Sequence, residues 1–252
     1  MSADARILVL SAGLSTPSST RMLADGLARE TRQALAHHGV TAQVDTVELR
    51  EVAHDVVDML ITRFPSPRLS TVLDALRAAD GVIITTPVFN AGPSGLLKSF
   101  LDATDPALWH GHPVLLGATA GSARHGLAID YGMRPIMAHL RADVAATSVF
   151  AATGDAGDDG QGHRDATPLD QRMARAASDL AHLVLHRQGR TGLTGDAGDA
   201  PEADDVRPVT PGRDATGGQP QVAVGLDPEF ADFVPMDELL GTTKNAGRTH
   251  RA

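Results

Sequence analysis

One stretch of the chain contains a buried strand, a tight loop and a helix in succession: residues 81–103, which read GVIITTPVFNAGPSGLLKSFLDA. The first part is apolar and β-branched, which is typical of a strand covered on both faces. Pro87 has no N–H to donate to a central ladder, so we expect the strand to end there. The leucines and the phenylalanine that follow recur at helical spacing and predict a helix over 94–104.

The alternation of strand and helix continues on both sides of this stretch. Towards the N-terminus, the sequence predicts strands at 6–11 and 42–49, a helix at 19–38 and a helical stripe over 69–76. Towards the C-terminus, it predicts a strand at 113–118, a helix at 123–141, a strand at 144–151 and a last helix that begins at the capping Thr167 with Pro168 in its first turn. Such alternation predicts an α/β fold, with a parallel sheet covered by helices on both faces.

The composition excludes several classes of protein. The chain has 252 residues, with 31 acidic side chains against 22 basic ones and a formal net charge of −9, a balance unlike that of a nucleic-acid-binding protein. It contains no cysteine, which excludes disulfides, thiolate metal sites and a thiol nucleophile. Only 3% of the residues are aromatic, so we expect a core of Ala, Val, Leu and Ile.

The length predicts one domain with an appendage. We expect the domain at residues 1–187 and a mostly flexible tail at 188–252, which is acidic and rich in Gly and Pro. An apolar patch at 229–240 interrupts the tail; it either folds back on the body or docks on a partner. The Gly- and Asp-rich residues 153–165 lack the spacing of a calcium loop and predict a surface loop. With no signal peptide or membrane span in the pattern, we expect a cytoplasmic protein.

Ligands of such folds bind beyond the carboxyl ends of the strands, which directs attention to three loops. The first, SAGLSTPSST at 11–20, is neither a dinucleotide fingerprint nor a nucleotide P-loop. It places several hydroxyls just before a helix, where unpaired amides and the helix dipole favour an anion. It therefore predicts either a site that holds a phosphate monoester or a plain turn with helix-capping serines.

The other two loops offer room for a flat ligand. In the second loop, residues 87–92 are short and glycine-capped, and Asn90 carries an amide that both donates and accepts. In the third loop, GATAGSARHG at 117–126, Gly121 and Ser122 leave space for a ring, and His125 is either a ligand contact or a solvated histidine. A generic strand-to-helix connection is the alternative for both loops.

The sequence lacks the motifs of a metalloprotease and of a serine hydrolase. His182 and His186 stand four residues apart on a helix, but the glutamate of a metalloprotease motif is missing, so we predict no metal site. The sequence does not favour a hydrolase with Ser11 as its nucleophile, because it contains no G-x-S-x-G.

The three loops together resemble those of a known family. SAGLSTPSST, TPVFNAGPSGLLKSFLDA and ATAGSARHGLAIDYGMRPIMAHLRA follow the first, third and fourth predicted strands, as in the NAD(P)H-dependent FMN reductases. The resemblance covers roughly residues 5–187 and is closest to the actinobacterial branch that accompanies luciferase-like monooxygenases. This chain differs in having Leu14 and Thr16 where many relatives carry an arginine, and Phe89 where many have tyrosine.

The resemblance implies a flavodoxin-like three-layer sandwich with a five-stranded parallel sheet of order 2-1-3-4-5. It implies that FMN and NADPH or NADH are the cofactors and that the chain forms a homodimer or homotetramer. Hydride would pass from the nicotinamide C4 to the flavin N5, without a catalytic side chain. The FMN phosphate and ribityl chain would contact Ser11, Ser15, Ser18, Ser19 and Thr20. The isoalloxazine would contact Pro87, Val88, Phe89, Asn90, Thr119, Ala120, Gly121, Ser122 and His125.

Three activities fit these motifs. The first is an FMN reductase that supplies reduced FMN to a flavin-dependent monooxygenase. The second is a quinone or azo-dye reductase with tightly bound FMN, and the third is a non-enzymatic flavodoxin-like electron carrier. Carriers usually set aromatic rings on both faces of the flavin, whereas this chain has one Trp, one Tyr and small residues in all three loops. A preference for NADPH over NADH is not visible in the sequence.

Overall fold

The computed structural model describes residues 4–152 and 168–190, which belong to one compact unit. Three predictions lie outside the described residues: the surface loop at 153–165, the cap at Thr167 and nearly all of the tail, including the patch at 229–240. None of the described helices is long and apolar enough to cross a membrane.

Strands and helices alternate along the described chain. The strands are β1 (Asp4–Ser11), β2 (Thr41–Glu48), β3 (Gly81–Phe89), β4 (Gly92–Pro93), β5 (Pro113–Ala120), β6 (Asp143–Val144) and β7 (Val149–Ala152). The helices are α1 (Ser19–His37), α2 (Ala53–Thr62), α3 (Pro67–Ala78), α4 (Gly95–Ala103), α5 (Arg134–His139) and α6 (Leu169–Arg187). Short 3₁₀ turns occur at Leu49–Val52, Pro106–Leu108 and Ala123–His125, and a π-helical turn spans Ile129–Met133.

The sheet is parallel except for β4 and runs in the order β2-β1-β3-β5-β6. The two-residue β4 folds back on the end of β3, and β7 continues along β5 beyond β6. With β5 as the fourth predicted strand and β6 and β7 as the fifth, this order agrees with the predicted 2-1-3-4-5 and confirms the flavodoxin-like α/β fold.

Each face of the sheet has its own apolar core. Ile7 and Val9 of β1 and Ile83 of β3 pack with residues of α1 and α6. The alternate residues, among them Leu8 and Leu10, pack on the opposite face with residues of α2, α3, α4 and α5. This is the period of two expected of a strand buried on both faces, and it produces the predicted three layers. Trp109 and Phe100 are the largest fully buried side chains, both in the second core.

The prediction that β3 ends at Pro87 was wrong, because the strand continues to Phe89. The ladder between β1 and β3 ends at Thr85, while that between β3 and β5 continues to Pro87 opposite Thr119. Beyond Thr85 the strand therefore has no partner on the β1 side, and a proline is tolerated at such an edge.

Other boundaries differ where glycine or proline interrupts a regular pattern. The predicted helix over 123–141 is a 3₁₀ turn, a π-helical turn and the short α5, whose first turn contains Pro135. The predicted strand over 144–151 is divided into β6 and β7. Pro168 is the N-cap of α6, and not a residue of its first turn. Helix α2 was missed, although Val52, Val56 and Met59 lie at helical spacing in the sequence.

Candidate functional site

The three loops singled out in the sequence leave the same edge of the sheet. They follow β1, β3 and β5, which are adjacent and parallel. The amide of Ala12 donates to the carbonyl of Thr85 at 2.8 Å, and the hydroxyls of Thr20 and Thr119 bond to each other at 2.7 Å. Direct contacts between loops therefore hold the site together.

The first loop presents hydroxyls and amides around the start of α1. Ser15, Thr16 and Ser19 are exposed. Ser18 is the N-cap, and its hydroxyl accepts from the amide of Arg21 at 3.2 Å. A Cβ on Gly13 would lie 2.2 Å from Ser18 Oγ, so only glycine lets the loop close this tightly. The first amides of an α-helix have no partner within the helix, so the start of α1 is suited to binding an anion.

A second layer of hydroxyls lies beneath this surface. Ser11, Thr20, Thr85 and Thr119 are all buried. Ser11 and Thr85 are register partners on neighbouring strands, and within the described part of the chain their hydroxyl oxygens have no hydrogen-bond partner. Ser11, Thr20 and Thr119 thus lie in the interior under the loop, whereas Ser15 and Ser19 lie on its surface.

The second loop is a two-residue hairpin between β3 and β4. Asn90 and Ala91 have φ values of 51° and 63°, as in a type I′ turn. The base of the hairpin is closed by Thr86, whose buried hydroxyl oxygen lies 3.0 Å from the Ser94 amide that donates to it and 3.2 Å from Ser94 Oγ. Ser94 also caps α4 by accepting from the amide of Leu97. Thr86 and Ser94 were not singled out from the sequence as site residues, although both lie within the motif TPVFNAGPSGLLKSFLDA.

The third loop completes an open face beside this hairpin. Ala120 and Ser122 are partly exposed, and Gly121 and His125 are exposed. Pro87 and Val88, near the end of β3, are half-buried. Gly132 of the π-helical turn supports the hairpin from outside, since a Cβ there would lie 2.9 Å from Cδ of Pro93.

Three large apolar side chains are exposed in or near the second and third loops. Phe89 is 48% exposed, Leu127 64% and Tyr131 79%. Tyr131 belongs to the π-helical turn that packs on the hairpin through Gly132. Exposed large apolar side chains also occur at Leu14, Met22, Val57, Ile61 and Phe64, so these three are part of a wider set on the described surface.

The first loop has no basic residue of its own, but two arginines adjoin it. Arg50, in the 3₁₀ turn after β2, donates to the carbonyl of Ser15 at 3.1 Å and to the hydroxyl of Thr16. Glu48 pairs with both Arg50 and Arg21, at 2.7 Å and 2.8 Å. Hydrogen bonding to Asp25, with Glu48 adding to it, raises the pKa of Arg21, so its positive charge is secure. Sequence reasoning missed Arg50 because it is far from the loop along the chain.

The candidate site has few side chains that suit acid–base catalysis or metal binding. None of the three loop segments 11–20, 85–94 and 117–126 contains an aspartate or glutamate. Within residues 4–152 and 168–190, no three His, Asp or Glu side chains are grouped closely enough to hold a metal ion. The site therefore offers hydroxyls, amides and apolar surface, which are suited to holding and orienting a ligand.

Comparisons with known proteins agree with this geometry. The family model described as NADPH-dependent FMN reductase matches residues 5–157, more than half of the chain. An FMN reductase (NADPH) of Escherichia coli is 43% identical over 94 residues, which are 37% of this chain and 49% of that enzyme, so the chain spans about half of that relative. The NADH-dependent FMN reductase SfnF of Pseudomonas fluorescens is 31% identical over 73% of this chain and 94% of its own length.

A solved structure shows the same relationship. The crystal structure of an oxidoreductase from Corynebacterium diphtheriae is 41% identical, with a TM-score of 0.68 over 73% of this chain and 99% of that one. The predicted family, the oxidoreductase class and the cofactors FMN and a nicotinamide nucleotide are confirmed at this level. The chain belongs to the NADPH-dependent FMN reductase family.

Proposed function

We propose that the chain transfers hydride from NADPH or NADH to FMN and supplies the reduced flavin to a flavin-dependent monooxygenase. One observation carries the proposal: the hydroxyl-rich first loop and the open, glycine-containing third loop adjoin each other at the carboxyl edge of the sheet, joined by the bond between Thr20 and Thr119. A phosphate on one end of a flat ring system matches that arrangement.

The residues of the first loop fit the phosphate of FMN. Ser15 and Ser19 are exposed donors beside the start of α1, and Ser18 holds the turn that aims the amides. Gly13 lacks a Cβ, which in the first loop would collide with Ser18. Ser11 and Thr20 lie buried below, so we assign them to the support of the loop and to the ribityl side of the site.

The hairpin and the third loop fit the isoalloxazine ring. Val88, Phe89 and the backbone at Asn90 form one side, and Ala120, Gly121 and Ser122 form the other, with His125 exposed at the rim. Pro87 and Thr119, register partners in the sheet, close the floor. FMN bound there would supply the redox chemistry, and these residues would orient its ring and leave one face open for the nicotinamide.

A second copy of the chain would cover the apolar surface of Phe89, Leu127 and Tyr131 and complete the flavin site. These three side chains are large, apolar and exposed, and contiguous apolar surface of this kind is typical of protein–protein contacts. We therefore include a homodimer or homotetramer in the proposal. The resemblance described above adds two further parts: a cytoplasmic location, and membership of the branch that accompanies luciferase-like monooxygenases.

Steady-state oxidation of NADPH and of NADH, with and without added FMN, tests the activity. We expect turnover that depends on added FMN and sequential kinetics, which would identify FMN as a substrate. FMN that co-purifies stoichiometrically, with ping-pong kinetics on quinones or azo dyes, would favour the prosthetic-group alternative. Oxidation no faster than with free flavin alone would contradict the reductase.

Variants of the first loop test the site. The double variant S15A/S19A removes two exposed hydroxyls, and we expect its Kd for FMN to rise at least about 10-fold, the effect of losing one hydrogen bond to a charged group. Ser70→Ala on α3 is the matched control, because it removes a hydroxyl outside the three loops.

A coupled assay tests the transfer of flavin. It compares the turnover of a flavin-dependent monooxygenase supplied by this protein with the turnover of the same monooxygenase supplied with chemically reduced FMN.

A further inference from the structure

Arg50 connects the edge of the sheet to the loop proposed to hold the flavin phosphate. Its guanidinium donates from Nη1 to the carbonyl of Ser15 and the hydroxyl of Thr16, and from Nη2 to the carboxylate of Glu48. One planar group thus contacts two consecutive loop residues while the end of β2 holds it in place. The side chain is 30% exposed, so the contact is partly shielded from solvent.

The loop itself has no full positive charge. Residues 11–20 contain neither Lys nor Arg, and the helix amides and serine hydroxyls provide only partial charges. Among the residues that the structure describes, the ion pairs beside this loop involve Arg21, Arg50, Glu48 and Asp25. Arg50 is the member of this group that the structure places in contact with Ser15 and Thr16, whereas Asp25 pairs with Arg21 one turn further along α1.

We propose that Arg50 selects the phosphorylated flavin: it positions the first loop and supplies the cationic charge that distinguishes FMN from riboflavin. The inference rests on the proposed function, since it concerns the same site. Holding the carbonyl of Ser15 and the hydroxyl of Thr16 fixes the orientation of the peptide units between β1 and α1. The positive charge and the helix dipole together strengthen binding only when the ligand is an anion.

Equilibrium binding of FMN and of riboflavin to Arg50→Gln and Arg50→Lys tests the inference. For Arg50→Gln we expect the Kd for FMN to rise about 10-fold and the Kd for riboflavin to change less than about 2-fold, because only FMN carries the phosphate. Arg50→Lys keeps the charge but loses the forked contact, so we expect it to recover part of the preference. The salt dependence of FMN binding should also decrease in Arg50→Gln.

The controls separate this inference from its alternatives. Arg29→Gln removes an arginine that pairs with Glu30 on α1, and its flavin affinities should match those of the wild type. Thermal unfolding of Arg50→Gln checks that the variant is folded. Equal weakening of FMN and riboflavin would overturn selection by charge, and so would unchanged affinities. Wild-type protein that neither binds nor reduces FMN would overturn the proposed function itself.

Discussion

The hydroxyls of Thr20 and Thr119 form a buried hydrogen bond of 2.7 Å that joins residues 99 positions apart in the chain. Thr20 is in the first turn of α1, and Thr119 is near the end of β5. The bond therefore connects the start of the helix that borders the first loop to the strand that leads into the third. The bond joins two parts of the proposed flavin site in the interior.

Replacing either threonine by valine should destabilise the protein, because the hydroxyl of the other threonine then stays buried without its partner. Each single variant, Thr20→Val or Thr119→Val, leaves one buried hydroxyl unsatisfied, and we expect a loss of about 1–3 kcal/mol in the free energy of unfolding. The double variant removes both hydroxyls, so its loss should be smaller than the sum of the two. Urea unfolding of the four proteins measures the coupling; losses that simply add would contradict a direct bond.

Thr86→Val should loosen the hairpin of the second loop. The change removes the acceptor of the Ser94 amide and the hydroxyl contact to Ser94, both buried, at a cost of about 2–3 kcal/mol. We also expect weaker FMN binding, because the hairpin would no longer be closed at its base. Urea unfolding and an FMN titration measure the two effects. Thr71→Val, on the exposed side of α3, is the control, and equal effects of the two variants would contradict the prediction.

Ala91→Gly should stabilise the protein. Ala91 has a φ of 63°, and the left-handed region costs a residue with a Cβ about 1 kcal/mol. Glycine adopts this conformation without the cost but is more flexible when unfolded, so the expected net gain is about 0.5 kcal/mol. Thermal unfolding measures the gain. Asn90→Gly is the comparison, since asparagine tolerates the same region and should gain less. A melting temperature below that of the wild type for Ala91→Gly would contradict the prediction.

Gly132→Ala should disturb the hairpin from its outer side. The new Cβ would lie 2.9 Å from Cδ of Pro93, a ring that cannot rotate away, so we expect a loss of about 1–3 kcal/mol and weaker FMN binding. A Cβ on Gly95 would meet no atom within 4 Å, so Gly95→Ala should be neutral or slightly stabilising. Chemical unfolding compares the two variants. Equal stabilities would contradict the prediction, because they would show that Pro93 moves aside without a loss of stability.

His112 should make the fold sensitive to acid. Burial, aided by the nearby Arg187, lowers the pKa of His112 below its ordinary value of 6.5, and its Nε2–H donates to the carbonyl of Ala79 at 3.0 Å. The unfolded chain therefore binds a proton near pH 6.5 that the folded chain does not, so stability falls as the pH decreases below 6.5 towards the lower folded pKa.

His112→Gln should remove this contribution. Its free energy of unfolding should be lower at neutral pH, because the packing and the bond to Ala79 change, but it should decrease less steeply below pH 6.5 than that of the wild type. Urea unfolding from pH 7.5 to 5, with the exposed-histidine variant His110→Gln as the reference, measures the slopes. Parallel curves for the His112 variant and the wild type would contradict the assignment.

Much of the fold could be predicted from the sequence because its signals are local. The apolar runs of β1, β3 and β5 and the stripes of α1, α4 and α6 have the periods of their elements, and their alternation specifies a parallel sheet. The boundaries that failed depend on neighbours. Pro87 lies inside β3 only because the β1 ladder has already ended at Thr85, which no local pattern contains.

The sequence by itself determined the family, the three loops and the hydroxyl-rich character of the first of them, because these are properties of contiguous residues. Only the tertiary structure decided which of these residues reach the surface. It buries Ser11, Thr20 and Thr119 beneath exposed Ser15 and Ser19. It also brings Arg50 to the first loop and Gly132 against Pro93, since contacts between residues distant in the chain exist only once the sheet and its helices have packed.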